Sequence, residues 1–538
     1  MRRVKMEIKS SFFIISLMFI VFLIIPLIAL FVTSLQTGHG IGISNYISAI
    51  QDKELLQAIL NSVKVSTATA IITTFLAFIL AYTINYTHLN KNIKNIIRVG
   101  ILVPMLLPTI TYGFAIIYSL GKQGIIMKLF GGELFEIYGF TGLLIGYVIY
   151  TLPIAFILIN NSFKYIDKKF VIVSKLMGDK GFTTFKNTVL QPLIGTIGGA
   201  FVISFIASFT DYGIPASIGG TYNVVSTQLY QVMLGSIPDF NNGGVIAVLM
   251  LIPAVFGVLL LNYLEKFNYS FDKVTDVELP KSKLQDICFG TISIVTLIGI
   301  LSIFMVMFII PFVQSYPYNM SFTFENFIRI LTSNDLIRVY KNSVIISLFS
   351  AVVGTAIAYI AAIVNVRTQI NKKAKLSIDG ISMITNTVPG MVLGIAYLLC
   401  FNNTSLKSTF IIVIACNIVH FFTTPYLMAK NSLSKINQSF EVTGELMGDS
   451  WIKTLFRIIL PNSMSTVVEI FSYYFIQSMV TISAVIFLVS ARTSLVTSKI
   501  KQLQHYAKFS DIFILSLLIF LTNIIVKVAC DNMQKKYR

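Results

Sequence analysis

Charge is what this sequence has least of. Asp, Glu, Lys and Arg make up 12% of its 538 residues, where a water-soluble chain carries nearer ~25%. Residues AVILMFWYC supply 55% and mean hydropathy is +0.80, so the uncovered apolar surface has to face lipid. A string of soluble domains and a disordered chain both fail on that composition. Acidic residues are scarcer still: 23 against 41 Lys and Arg, a formal net charge of +18. In a soluble protein that excess would suggest nucleic acid. In a membrane protein it asks instead which loops hold the lysines, and nucleic acid drops out as a partner.

Chemistry-bearing residues are also few. Cys288, Cys400, Cys416 and Cys530 lie far apart without a C-x-x-C pair. They read as small apolar residues of a helix bundle, not as disulfide or metal partners. His39, His88, His420 and His505 are scattered and suit structural or loop places better than a metal site. There is no H-E-x-x-H, no nucleophile elbow and no G-x-x-x-x-G-K-[ST]; Gly121-Lys122 is not part of one. The chain has no loop of its own to cradle ATP phosphates.

Long apolar runs are what it does have. They recur at about 11–33, 59–84, 97–120, 137–159, 193–210, 244–264, 287–313, 342–364, 378–400, 409–428, 464–490 and 510–530, each near the length that crosses a bilayer. The run from Phe12 to Val32 is too long for the apolar part of a cleaved signal and reads as a signal anchor. Twelve spans put both termini on one side. That side holds most of the Lys and Arg, including Lys164, Lys168, Lys169, Lys175, Lys180 and Lys186 in one loop and Lys430, Lys435, Lys453 and Arg457 in another. It is therefore the cytoplasmic side, with both termini on it. One loop resists: Arg492, Lys499, Lys501 and Lys508 fall on the outer face.

The chain repeats itself at a period of roughly 270–280 residues. Asn61-Ser-Val-Lys-Val-Ser returns as Asn342-Ser-Val-Ile-Ile-Ser, and Asn161-Ser-Phe-Lys as Asn431-Ser-Leu-Ser. Lys175-Leu-Met-Gly-Asp returns as Glu445-Leu-Met-Gly-Asp. The fold expected is an all-α polytopic membrane protein of about twelve spans in two tandem six-helix halves, 1–265 and 286–538, joined by a cytoplasmic linker at 266–285.

The last repeat sits in the two loops at 164–192 and 430–461. Each has a short helical stretch, a Gly-Asp break at Gly178-Asp179 or Gly448-Asp449, and a second stretch that holds Phe185 in the first copy. The copies end at Leu190-Gln-Pro192 and Leu460-Pro461. Gly permits a turn that other residues resist, and each Asp suits an N-cap, accepting from the N–H groups of the following turn. The product is a compact elbow that a soluble partner can grip.

This elbow resembles the EAA loop of importer-type ABC permeases. That family's pattern is Glu-Ala-Ala, three residues, Gly, and a Leu-Pro ending thirteen residues after the Gly. Gly448 to Pro461 keeps the spacing; the first copy is one residue longer through Gln191. Neither copy has Glu-Ala-Ala: Ile172-Val-Ser and Val442-Thr-Gly stand there, with Glu441 one position early. The resemblance implies a fold like that of type I ABC importers and a role as the permease subunit of a bacterial cytoplasmic membrane, itself not an enzyme. It implies two copies of a cytoplasmic ATPase, which would carry the ATP and Mg, and an extracytoplasmic solute-binding protein. Two halves fused in one chain are similar to the iron(III), thiamine and 2-aminoethylphosphonate permeases. The stretch Phe209 to Tyr230 resembles the aminoethylphosphonate group most, which makes a phosphonate or related anion the first expectation for cargo. Iron(III), thiamine or a polyamine are the alternatives.

Polar groups within the spans are candidates for the path. Glu469, Tyr473 and Gln477 fall on one helical stripe, and Ser208, Asp211 and Tyr212 close the fifth span. Glu469 either lines the path or is satisfied by a neighbouring helix, and Asp211 also suits a cap at the outer end of its span. The Gly-rich stretch from Gly213 to Gly220 is a re-entrant loop or an outer connection. An ion-coupled secondary transporter also uses duplicated halves, and Glu469 is its one fair ion site. A polytopic membrane enzyme should gather catalytic groups at one face, and no such cluster is found. The basic outer loop would suit an anionic cargo or an acidic binding-protein rim.

Overall fold

The computed structural model describes residues 2–537 except 39, 130, 133, 134, 268–276, 278–281, 369 and 438. His39 and most of the expected linker at 266–285, with Lys273 and Lys281, lie outside the described residues. The described chain is almost wholly helical, with two short β-hairpins. Among the described residues eight helices are long and apolar enough to cross a membrane. Three further pairs bend by 109°, 103° and 55° at short breaks, which makes up to eleven spans.

The two sharper breaks fall at a proline. Leu107 and Val388 are extended (φ −117°, ψ 145° and φ −84°, ψ 114°) ahead of Pro108 and Pro389, because a proline ring clashes with a helical residue before it. A new helix starts directly after each proline, at Thr109 and Gly390. The eleventh expected span, 464–490, needs correcting. It is helical only over Met464–Val480, 17 residues, and Thr481 turns extended. The following backbone runs instead against Gly394, where an added Cβ would stand 2.4 Å from the Ala484 carbonyl oxygen. Only a glycine admits that crossing.

The sequence repeat is visible element by element. A span (Ser10–Leu35; Lys283–Phe312) leads into an antiparallel hairpin (Gln36–Thr37 with Gly40–Ile41; Val313–Ser315 with Asn319–Phe322). Next come a short helix (Ser44–Gln51; Glu325–Thr332) and a long one (Lys53–Tyr86; Asn334–Val366). After the bent pair and the elbow, each half adds a short helix (Val225–Leu234; Val496–His505) before its last span (Phe240–Leu264; Phe509–Lys536).

The repeated Asn-Ser of the long helix explains itself here. Asn61 Nδ2 donates to the Asn223 carbonyl at 2.9 Å, and Asn342 Nδ2 to the Arg492 carbonyl at 3.0 Å. Ser62 Oγ accepts from the Val225 N–H and Ser343 Oγ from the Val496 N–H, each at 2.8 Å. In both halves this pair therefore seizes the first residue of the short helix, whose leading N–H groups have no partner inside the helix.

Two compact units emerge from packing. One takes in Met1–Ala49, Gln231–Leu251 and Phe324–Arg538; the other, Ile50–Tyr230 and Ile252–Thr323. In the first, Tyr397 Oη donates to the Phe22 carbonyl at 2.5 Å and Phe19 meets Phe422 edge-on at 4.5 Å. In the second, Thr83 and Ser293 share a hydrogen bond of 2.8 Å, and Ser119 donates to the Ile303 carbonyl at 2.8 Å. The span that opens each sequence half thus packs with residues of the other half, so packing units and sequence repeat divide the chain along different lines.

Ser62→Ala and Ser343→Ala each strip a buried N–H of its acceptor, which costs about 1–3 kcal/mol. Both variants should show a lower thermal midpoint in detergent; midpoints equal to the parent's would count against the anchor.

Candidate functional site

The two elbows share one backbone construction. The helix Lys169–Leu176 ends at Gly178, whose φ is +84°, and the helix Ser439–Leu446 at Gly448, φ +79°. The Asp179 N–H reaches back to the Ser174 carbonyl at 3.1 Å, and the Asp449 N–H to the Gly444 carbonyl at 2.9 Å. With the Gly178 N–H on the Lys175 carbonyl at 3.1 Å, the first elbow is a Schellman turn, which uses carbonyls a helix end would otherwise leave free. Gly is required because the left-handed conformation crowds any Cβ.

The aspartates do not cap the next helix as expected. The N-cap positions are Lys180, which makes no side-chain cap, and Ser450, whose Oγ accepts from the Lys453 N–H at 3.3 Å. The back-bonded turn aims each carboxylate elsewhere. Asp179 accepts from Ser174 Oγ at 2.6 Å, and Asp449 pairs with Lys453. Each aspartate therefore braces its own elbow.

Beyond the Gly-Asp break each copy runs through a short helix (Gly181–Phe185; Trp451–Thr454) into one π-helical turn (Lys186–Leu190; Leu455–Ile459). Pro192 and Pro461 each fall two residues after that turn. Proline offers no N–H and its ring presses on the preceding turn; a π turn widens the coil at that place. The extra residue of the first copy is absorbed by its longer short helix, so both copies keep the same π-turn-to-proline joint.

What the elbows present is apolar. Leu176 and Met177 are 82% and 79% exposed, and Leu446 and Met447 are 84% and 78% exposed. Phe182 and Val442 are exposed beside them. A cleft of about 310 Å³ lies along the first elbow, among Phe170, Val173, Met177, Asp179, Gln191 and Pro192. A soluble loop would not hold such a patch open unless something covered it.

The two elbows are moored differently. Arg367, at the end of the helix Asn334–Val366, has a side chain only 1% exposed. Its Nε and Nη2 donate to the two carboxylate oxygens of Glu441 at 2.6 and 2.5 Å. Nη1 and Nη2 donate further to the carbonyls of Ile436 at 2.7 Å and Asn437 at 3.2 Å. Glu441 is thus held inside its own chain by a two-pronged pair. In the first half Phe185 does this work through apolar contact, with its ring 6.0 Å from Phe78 and 5.8 Å from Tyr82. The sequence carried a signal for this pair that was not singled out above, an Arg at a span end and an acid at the elbow.

The candidate path residues separate by half. Ser208 donates to the Ser204 carbonyl at 2.8 Å, and Tyr212 packs its ring 4.8 Å from that of Tyr230. Asp211 Oδ2 accepts from the Ile214 N–H at 2.9 Å, so it braces the first turn of the short helix Gly213–Ile218 within the glycine-rich stretch. All three are buried. In the other half Glu469 is exposed, with Tyr473 and Gln477 half-buried on the same stripe.

The basic loop expected on the outer face is partly structural. Lys499 Nζ lies 2.7 Å from Asp335, and Lys501 Nζ donates to Gln504 at 2.9 Å. Burial pushes the Lys501 ammonium down to about 8. Among the described residues no group of three or more His, Cys, Asp or Glu is placed to hold a metal ion.

Repeated membrane-crossing bundles, each with one exposed apolar elbow, define a duplicated polytopic permease. The chain belongs to the family described as binding-protein-dependent transport system inner membrane component, which matches residues 73–268 and 354–538. It is 26% identical over 505 residues to the putative ferric transport system permease protein FbpB 1 of Haemophilus influenzae, covering 90% of this chain and 78% of that one. It is 24% identical over 499 residues to the ferric transport system permease protein FbpB of Actinobacillus pleuropneumoniae, covering 89% and 71%. A spermidine/putrescine transport system permease protein PotC homolog of Mycoplasma pneumoniae is 28% identical over 126 residues, 23% of this chain and 44% of that one. The aminoethylphosphonate expectation finds no support among these relatives.

Glu441→Leu strands the Arg367 guanidinium in a buried place, a loss of about 3–5 kcal/mol. The double variant Arg367→Met/Glu441→Leu should recover most of it in an SDS-unfolding titration. A double variant no more stable than the single one would show that the pair does not hold the elbow.

Proposed function

We propose that this chain is the membrane conduit of an ATP-driven importer of ferric iron. Two copies of a cytoplasmic ATPase, which bind the ATP and Mg, each grip one elbow. A solute-binding protein delivers the cargo on the outer face. The membrane is the bacterial cell membrane, with both termini and both elbows on the Lys-rich cytoplasmic side.

The observation that carries the coupling is the duplicated Leu-Met-Gly-Asp turn, which projects an exposed apolar pair in the same construction from both halves. Closure of the ATPases would push these knobs together. The π-turn-to-proline joint would pass the push to the helices Gln191–Thr210 and Met464–Val480, biasing the halves between two states. A secondary transporter has no use for two exposed cytoplasmic knobs.

Iron is favoured over an anion on two grounds. The relatives that align along nine-tenths of the chain are named for ferric transport, whereas the polyamine relatives align over about a quarter. The reachable stripe Glu469, Tyr473 and Gln477 offers oxygen donors, which suit a hard cation. The outer lysines that would have drawn an anion are partly tied up: Lys499 by Asp335 and Lys501 by Gln504.

Leu446→Glu/Met447→Glu should cut uptake of radiolabelled ferric iron by more than about tenfold while membrane insertion stays normal, since a charged pair cannot enter an apolar socket. Bulky replacement of Gly448 and Asp449 should likewise uncouple ATP hydrolysis from uptake. Normal uptake by either variant would remove the elbow from the coupling. In the parent, excess aminoethylphosphonate, thiamine or spermidine should leave iron uptake unchanged; competition by one of them would reassign the cargo.

A further inference from the structure

A groove of about 650 Å³ runs along the second packing unit, and Thr74 is the sole polar residue among those lining it. Three elements build it. Ile71, Phe75 and Phe78 come from the helix Lys53–Tyr86, Ile197 and Phe201 from Gln191–Thr210, and Ile292 from Lys283–Ile309. Spacings of three and four set each group on one helical stripe. Two further lining residues, Phe185 and Leu190, belong to the first elbow.

All three helices are long and apolar enough to cross a membrane, Ile71 and Phe75 are more than half exposed, and a lining this apolar suits hydrocarbon better than a path for a polar cargo. Water has too few polar partners there to fill it. Lipid tails are as apolar as the groove, so no hydrophobic drive distinguishes a bound chain from a free one. What distinguishes it is dispersion, because an unfilled groove leaves its lining atoms without neighbours on one side. Two exposed cations stand at the elbow-side ends of the lining elements: Lys186, next to Phe185, and Lys283, two turns ahead of Phe289.

We propose that this groove binds one acyl chain of an anionic phospholipid whose headgroup lies at Lys186 and Lys283. Lysines at the membrane surface attract anionic headgroups, and the aromatic groove holds the chain below them. Because Phe185 and Leu190 form part of the wall, chain occupancy props the joint between elbow and span. That consequence rests on the coupling role proposed above; the binding itself does not.

Native mass spectrometry of the full chain in mild detergent, with phosphatidylglycerol or phosphatidylcholine added, tests it. The parent should retain one phosphatidylglycerol. Ile197→Trp, which fills the groove, should lower that retention by about tenfold. Lys186→Gln/Lys283→Gln should bring it down to the phosphatidylcholine level. Phe256→Trp, on an exposed position that does not line the groove, should change nothing. Equal retention by the parent and Ile197→Trp overturns the site. Should Ile197→Trp fail to fold, phosphatidylglycerol with a photoreactive acyl chain decides on the parent alone. Labelling concentrated at 71–79 and 197–201 over 252–259 supports the groove, and even labelling overturns it. Lipid loss with iron uptake unchanged would keep the groove and remove only its effect on the elbow.

Discussion

Every backbone N–H and C=O within a bilayer has to find its partner inside the protein, because the hydrocarbon offers none. Straight helices meet that demand by themselves, so the informative places are where this chain stops being a straight helix. At the short helices Val225–Leu234 and Val496–His505 the repeated Asn-Ser pair supplies an acceptor for the first N–H and a donor for the preceding carbonyls. At the elbows a glycine with positive φ folds the helix end back on its own carbonyls. At the joints below them a π turn accommodates the proline. The candidate functional parts lie among these exceptions, and the anchors and elbows are each held by a named local bond.

The two halves answer the same demands with different chemistry. Arg367 moors the second elbow with an ion pair and carbonyl contacts; an aromatic cluster around Phe185 moors the first. A charged, two-pronged mooring fixes orientation, whereas ring packing tolerates small slides. The path candidates differ in the same sense. Asp211 and Tyr212 are buried in local structure, while Glu469 stands exposed. A duplicated scaffold therefore does not imply two equal contributions to the cargo path, and the acidic, reachable half is the better place to look for contact with a cation.

Much of this was legible in the sequence, and what was not has physical causes. Spans read well because composition alone sets them. The eleventh was overextended, since apolar residues from Thr481 to Val489 look like helix until Gly394 is known to admit their backbone at close range. The Gly-Asp break was visible, yet the capping assignment failed, because Asp next to a helix start usually caps it and here the Schellman turn turns it back toward Ser174. The one-residue mismatch between the copies looked like a defect of the motif. It is one more residue in a short helix, which leaves the π-turn-to-proline joint intact.

The positive charge changes meaning in three steps. Counted over the chain, it suggests acidic partners. Sorted by loop, most of it becomes a topology signal. Placed in the fold, even the outer exception dissolves in part, because Lys499 spends its charge on Asp335 and Lys501 is half-buried at a helix. A lysine that serves the fold says nothing about cargo, so the loop argues for an anion only through Arg492 and Lys508, which stay exposed. The case for a cation then rests on the oxygen donors of one stripe and on the relatives, neither of which depends on the charge of that loop.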